Sequence, residues 1–186
     1  MAAHIQPLLT IADLDSLPED GKRYELIDGD LLVSRAPHVN HQFAISKLLQ
    51  ALMNYLDLNP IGKVIPEPGV IFSDYDAVIP DVAYVSNERF GKIVASGKFT
   101  AAPDLVIEIL SPGSENERRD RNVKRRLYSV RGVREYWIVD VQTSAVEIYR
   151  PHESNLNLIA TLGGDDEITT PLLPGFSCKV ARVFEV

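Results

Sequence analysis

The run "PDLVIEIL", residues 103 to 110, sets Glu108 in the middle of a segment that otherwise reads as a buried β-strand. No positive charge neighbours it in the sequence. An ionised carboxylate taken out of water costs several kcal/mol, roughly, unless something pairs with it. Any fold for this chain must therefore carry a partner to Glu108 from elsewhere.

A second carboxylate stands in the same position on another strand candidate. In "AVIPDVAYVS", residues 77 to 86, alternation puts Asp81 on one face with Ile79 and Ala83, as it puts Glu108 with Val106 and Leu110. Sequential strands are usually neighbours, so the two acids can converge. Two carboxylates on adjacent strands make a hard-oxygen site of the kind magnesium takes, completed by water and substrate phosphate. The metal would then be the missing partner of Glu108. A structural reading stands beside this one: Asp81 follows Pro80 and can cap a turn through local backbone amides. Glu108, in mid-strand, has no such local option.

The rest of the chain supplies the frame. "TIADLDSLPEDG" reads as a short helix with Thr10 as cap and Gly21 as stop. "RYELIDGDLLVSR" alternates about Asp28-Gly29 and reads as a hairpin. From Val39 to Leu58, Phe43, Leu48, Leu49, Leu52 and Leu56 recur at helical spacing. "GKVIPEPGVIF" is extended but broken by Pro66 and Pro68, which suits an edge. After Glu108 a helix is expected from Ser114, where Ser-Glu-Asn-Glu offers a capping box, to about Val130, with Gly132 as its stop. A strand, a turn near Gln142 to Ser144, a second strand and a further β segment complete the chain. The series of hairpin, helix, three strands, helix, strand and strand packs most economically as a mixed α/β sheet flanked by helices, in one domain over residues 1–186.

The helix after Glu108 carries most of the positive charge. "ERRDRNVKRR", Glu117 to Arg126, holds six basic residues against two acidic ones in a chain whose net charge is −7. That balance excludes bulk coating of nucleic acid and leaves local binding of a polyanion. Asp120, Lys124 and Tyr128 share one face, with Val123, Leu127 and Val130 on an adjoining apolar stripe. Lys124 is therefore either a cation held over the carboxylates or half of a solvated Asp120–Lys124 pair worth about 0.3–0.5 kcal/mol. The one cysteine, Cys178, allows no internal disulfide and anchors no zinc site. No apolar run is long enough to cross a bilayer, and "MAAHIQPLLTIADLD" lacks the form of a secretory signal, so a cytoplasmic location is expected.

Five strings in one order, "YELIDG", "PDVAYV", "PDLVIEILSP", "DRNVKRRLY" and "GVREYWIVD", resemble the Uma2 family of restriction-endonuclease-like proteins, over roughly residues 10 to 150. The resemblance implies the PD-(D/E)XK nuclease fold with core order αβββαβ, here with an N-terminal hairpin and a C-terminal β extension. It makes Pro80-Asp81 the "PD" and Glu108 the acid of "(D/E)XK". Pro103-Asp104 lies on the same strand as Glu108 and cannot furnish a second strand's ligand. The motif's lysine position falls on Leu110, a departure from the pattern, and Lys124 on the following helix is the matching amine. Glu25 matches an acid that related nucleases place beside the metal, against the alternative of an exposed strand residue. His41 matches a family histidine, against the alternative of a helix-end cap.

The implied activity is hydrolysis of phosphodiester bonds in DNA with Mg2+ or Mn2+. Asp81, Glu108 and the carbonyl of Ile109 would hold the metal, with Lys124 and Glu25 beside it. Asp120, Tyr128 and His41 are expected in support, and Arg118, Arg121 and Arg125 as phosphate contacts. A homodimer that cuts both strands is the expected assembly. The competing expectation is a non-catalytic module on the same fold that binds nucleic acid or protein.

Overall fold

Strand alternation, and the prolines that interrupt it, decide how this chain is layered. The computed structural model describes residues 7–34 and 36–185. Helix α1 (Ile11–Leu14) starts where Thr10 bonds Asp13 through both its amide and its hydroxyl, at 2.8 Å each, but ends well before Gly21. Strands β1 (Arg23–Ile27) and β2 (Asp30–Ser34) form the expected hairpin, with Ile27 opposite Asp30. Asp28 and Gly29 turn it with φ of 53° and 80°, the positive pair that matches strand twist.

Helix α2 (Val39–Leu58) has the expected bounds, and it buries Ala44, Ile45, Leu48, Leu52 and Leu56. Phe43, expected on that apolar face, is exposed. After it come β3 (Gly62–Pro66), β4 (Val70–Ser73), β5 (Asp76–Val78) and β6 (Val82–Ser86). Next are α3 (Asn87–Ile93), the short strands β7 (Val94–Ala95) and β8 (Lys98–Phe99), and then β9 (Leu105–Ile109). The helix that follows has three parts: α4 (Ser114–Arg118), a π-helical turn (Arg119–Lys124) and α5 (Arg125–Arg131). The chain closes with β10 (Glu135–Asp140), β11 (Ala145–His152), β12 (Asn155–Gly163), β13 (Glu167–Ile168), β14 (Cys178–Lys179) and α6 (Val180–Phe184).

The principal sheet has the order β12-β11-β10-β9-β6-β3. Its β9 and β10 run parallel and the other neighbours antiparallel, so the sheet is mixed. Read along the chain, α2, β3, β6, β9, the α4–α5 helix and β10 give the αβββαβ core, with β3 at the edge. On one face, Val82, Tyr84, Leu105, Ile107 and Ile109 pack with the buried side of α2. On the other, Ala83, Val85, Val106 and Leu110 meet Leu127 and Tyr128 of α5 and Ile27, Val70 and Val78. Those last three belong to a second sheet, ordered β2-β1-β5-β4-β8-β7, that the sequence reading did not anticipate.

Three local expectations are corrected. "AVIPDVAYVS" is two strands in two sheets, because Pro80 offers no amide to a ladder and restricts Ile79 before it. "GKVIPEPGVIF" divides likewise, at Glu67, where φ is 47°. The cap of α4 is Gly113, at φ 115°, and no side chain caps that helix; Ser114 is already inside it.

Candidate active site

Glu108 finds its partner within the chain. Lys124 Nζ lies 3.0 Å from Glu108 Oε1, and the Tyr128 hydroxyl donates to the same oxygen at 2.7 Å. All three side chains are buried. Both donors converge on Oε1, and Oε2 takes no hydrogen bond from the described residues. The chain thus supplies a cation to this carboxylate from the helix that follows it, where a metal was expected as the counter-charge.

The ladder explains how Asp81 joins it. Val82 pairs with Ile107 in the antiparallel β6–β9 register, so the next step outward brings Asp81 beside Glu108 on the same face. Asp81 Oδ2 accepts the Ile109 amide at 2.8 Å and lies 3.3 Å from His41 Nε2. Asp81 Oδ1 accepts from Arg23 at 2.9 Å. The amide that Asp81 bonds is thus 28 residues away and not the local one of a turn cap. The helix-cap reading of His41 belongs instead to His38, whose side chain accepts from the Asn40 amide at 3.4 Å. His41 is buried, and its Nδ1 has no partner among the described residues.

Glu25 is not an exposed strand residue. It is 1% exposed, and its Oε1 takes both Lys124 Nζ at 3.0 Å and the Ile79 amide at 2.8 Å. Lys124 is therefore clamped between two carboxylates from different sheets. Asp120 is buried close by but does not pair directly with Lys124: its carboxylate takes Arg119 Nε at 3.1 Å, and its carbonyl accepts the Tyr136 hydroxyl at 3.0 Å.

The expected arginines lie elsewhere. Arg121 bonds Glu147, and Asp140 at 3.3 Å. Arg125 bonds the Leu156 carbonyl at 3.2 Å and stacks over Tyr149. Arg118 lines a neighbouring groove beside Asp28 and Arg126. Among the described residues, the arginines on the cleft are Arg23 and Arg119, which sequence reasoning missed. Arg119 and Lys124 are five residues apart, the spacing that bonding to the fifth residue stacks in a π turn. An α-helical projection sends Arg119 to the wrong side. Arg23 was legible, since it alternates with Glu25 along β1.

Together these side chains line a cleft of about 350 Å3, with Asp81, Glu108, Glu25 and Lys124 in its wall and Glu67, Arg23 and Arg119 beside them. Burial pushes the Glu108 carboxyl well above the usual carboxylate range, aided by the charges of Asp81, Asp120 and Glu25 and opposed by Lys124. Burial raises Asp120 as well, against Lys124 and Arg119. Burial would lower Lys124, but the carboxylates of Glu108, Glu25 and Asp120 prevail and hold it protonated above its ordinary value. Asp81 moves the other way: burial is outweighed by the His41 hydrogen bond, the Arg23 charge and the Ile109 amide, so it stays ionised below the usual range. Two acids in one cleft are thus driven apart, as at sites that do proton chemistry.

The mixed sheet with its αβββαβ core, bearing two acids on adjacent strands and an amine from the next helix, defines a restriction-endonuclease-like α/β protein. The chain belongs to the Uma2 family, described as "Putative restriction endonuclease", whose pattern matches residues 11–181 and so runs past residue 150 into the C-terminal strands. In structure it is similar to a protein from Anabaena variabilis ATCC 29413, described as "a putative nuclease belonging to DUF820". That likeness has a TM-score of 0.76 at 21% identity over 95% of this chain and 97% of the other. It establishes the fold. A second likeness, to the type IIG restriction endonuclease BpuSI, has a TM-score of 0.41 at 14% identity over 78% of this chain and 15% of that one, too slight to build on. No curated protein matches the chain significantly. Among the described residues, no helix is long and apolar enough to cross a membrane.

Proposed function

We propose that this protein is a divalent-metal-dependent nuclease that hydrolyses phosphodiester bonds in DNA, acting in the cytoplasm and pairing two copies to cut both strands. The observation that carries the proposal is the cleft itself: Asp81 and Glu108 share one wall with Lys124, whose ammonium sits 3.0 Å from Glu108, while Arg23 and Arg119 stand beside them.

The donor set fits a hard cation. It is all oxygen, no described residue bonds Glu108 Oε2, and Asp81 Oδ1 is held by the guanidinium of the part-exposed Arg23. Among the described residues no three His, Cys, Asp or Glu side chains gather as a ready metal cluster. A Mg2+ or Mn2+ ion would take Asp81, Glu108 and, as the family resemblance implies, the Ile109 carbonyl, and fill its other positions with water and phosphate. When bound, such an ion polarises the phosphate and acidifies a coordinated water.

This chain's own residues do the rest. Tyr128 and Lys124 fix Glu108 by one oxygen and leave the other toward the cleft. Lys124, held protonated, orients water and offsets negative charge growing on the phosphate. Glu25 anchors that ammonium from the second sheet, and His41 steadies Asp81. Arg119 and Arg23 are placed to meet the phosphate, and Arg118 to meet the flanking backbone from its own groove.

One observation favours the competing reading, a binding module without catalysis: among the described residues, every charged side chain lining the cleft already has a protein partner. Nicking of supercoiled plasmid with Mg2+ or Mn2+ separates the two. The nuclease reading expects wild-type cleavage that Asp81→Ala and Lys124→Ala abolish. Cleavage indifferent to Asp81→Ala would mark a contaminant, and DNA binding without cleavage in either metal would establish the module.

A further inference from the structure

Asp81 receives three donors, and they differ in how easily they can leave. The Ile109 amide is part of the β9 backbone and fixed by its ladder. His41 is buried in the first turns of α2. Arg23 is different. It is the first residue of β1, its side chain is 20% exposed, and its guanidinium bridges two acids at different depths. One nitrogen bonds buried Asp81 at 2.9 Å and the Ile79 carbonyl at 3.3 Å, while the other bonds Glu67, whose side chain is half exposed.

We propose that Arg23 and a divalent cation compete for Asp81 Oδ1, and that Arg23, shifted outward onto Glu67, becomes a ligand for the substrate phosphate. The inference rests on the nuclease reading above. A dication on Oδ1 and a guanidinium on the same oxygen repel one another, and this cleft is too buried for water to screen them fully. Glu67 gives the displaced guanidinium a partner nearer solvent, and the planar fork of an arginine suits two phosphate oxygens. Arg23 is thus a substrate-binding residue whose departure from Asp81 changes the charge felt by the cation. Nucleic acid that draws Arg23 outward raises cation affinity, and by linkage the cation raises affinity for nucleic acid by the same factor.

The test is Mn2+ titration of the full chain, read from the paramagnetic resonance of free Mn2+, for wild type, Arg23→Met and Glu67→Gln. Arg23→Met is expected to bind Mn2+ at least about 5-fold tighter, the low end of ordinary coupling between sites. Glu67→Gln is expected to bind more weakly, because Arg23 then leans on Asp81 alone. An added phosphorothioate oligonucleotide should tighten Mn2+ binding to wild type and leave Arg23→Met unchanged. A purely structural arginine would weaken binding in both variants, and that result overturns the inference. So does unchanged or tighter binding by Glu67→Gln, which decides the matter if Arg23→Met fails to fold. Wild-type binding with Arg23→Met no tighter sinks this inference alone, whereas no Mn2+ binding by any of the three proteins sinks the nuclease reading with it.

Discussion

Replacing Lys124 by methionine keeps the length and most of the apolar stem of the side chain while deleting its charge. The ammonium lies 3.0 Å from both Glu25 Oε1 and Glu108 Oε1, and all three groups are buried. Removing one partner of a buried ion pair leaves an uncompensated charge, at a cost of about 3–5 kcal/mol. Glu108, pushed up by burial, already keeps its proton over much of the neutral range, so the lower end is expected at neutral pH. For a chain of this size, each kcal/mol moves Tm by roughly 2–4 °C, so Lys124→Met should melt roughly 6–12 °C below wild type. Thermal unfolding followed by circular dichroism in EDTA measures it. The same substitution made on Glu108→Gln should cost less, with a coupling of about 1–3 kcal/mol between the two sites. A loss under about 1 kcal/mol, or costs that simply add, would refute the claim that Lys124 is the counter-ion of Glu108.

Three further outcomes follow from the same contacts. Because Glu108 titrates higher in the folded chain than in the unfolded one, the unfolded state releases its proton first as pH rises. In EDTA, stability should therefore fall from about pH 4.3 upward toward the folded value, and Glu108→Gln should flatten that slope; an unchanged slope would contradict it. Asp104 is fully buried under Arg89 at 2.9 Å, Arg134 at 3.1 Å and the Ser86 amide at 2.8 Å, and these hold it below its ordinary value despite burial. Its contribution is present above the unfolded pKa and lost as pH falls through the depressed one, so Asp104→Asn should lower Tm at neutral pH and remove part of the acid sensitivity. Tyr128→Phe deletes one donor to Glu108 and should cost about 1 kcal/mol in urea unfolding; a neutral result would mean that the hydroxyl bond at 2.7 Å contributes nothing.

What the sequence made legible follows the reach of its signals. Alternation along two strands was enough to put Asp81 and Glu108 on one face, and the apolar period of residues 39–58 gave α2 its bounds. The second sheet escaped because its strands are two to five residues long and lie within segments that read as continuous extended chain. The π turn escaped for a different reason: no local pattern marks a backbone that shifts its bonding from the fourth residue to the fifth. That single shift moved the cleft arginine from the positions expected by α-helical spacing to Arg119. The buried role of Glu25 depended on β1 meeting Lys124 of the π turn and the Ile79 amide, the latter 54 residues along the chain, contacts that only the tertiary structure supplies.

A crystal grown with Mn2+ and measured for anomalous scattering addresses the central claim most directly. The account predicts one anomalous peak in the cleft, bonded to a carboxylate oxygen of Asp81 and to Glu108 Oε2, with Arg23 turned outward onto Glu67. Fully ordered Asp81 and Glu108 with Arg23 still on Oδ1, and no peak between the two acids at saturating Mn2+, would contradict it.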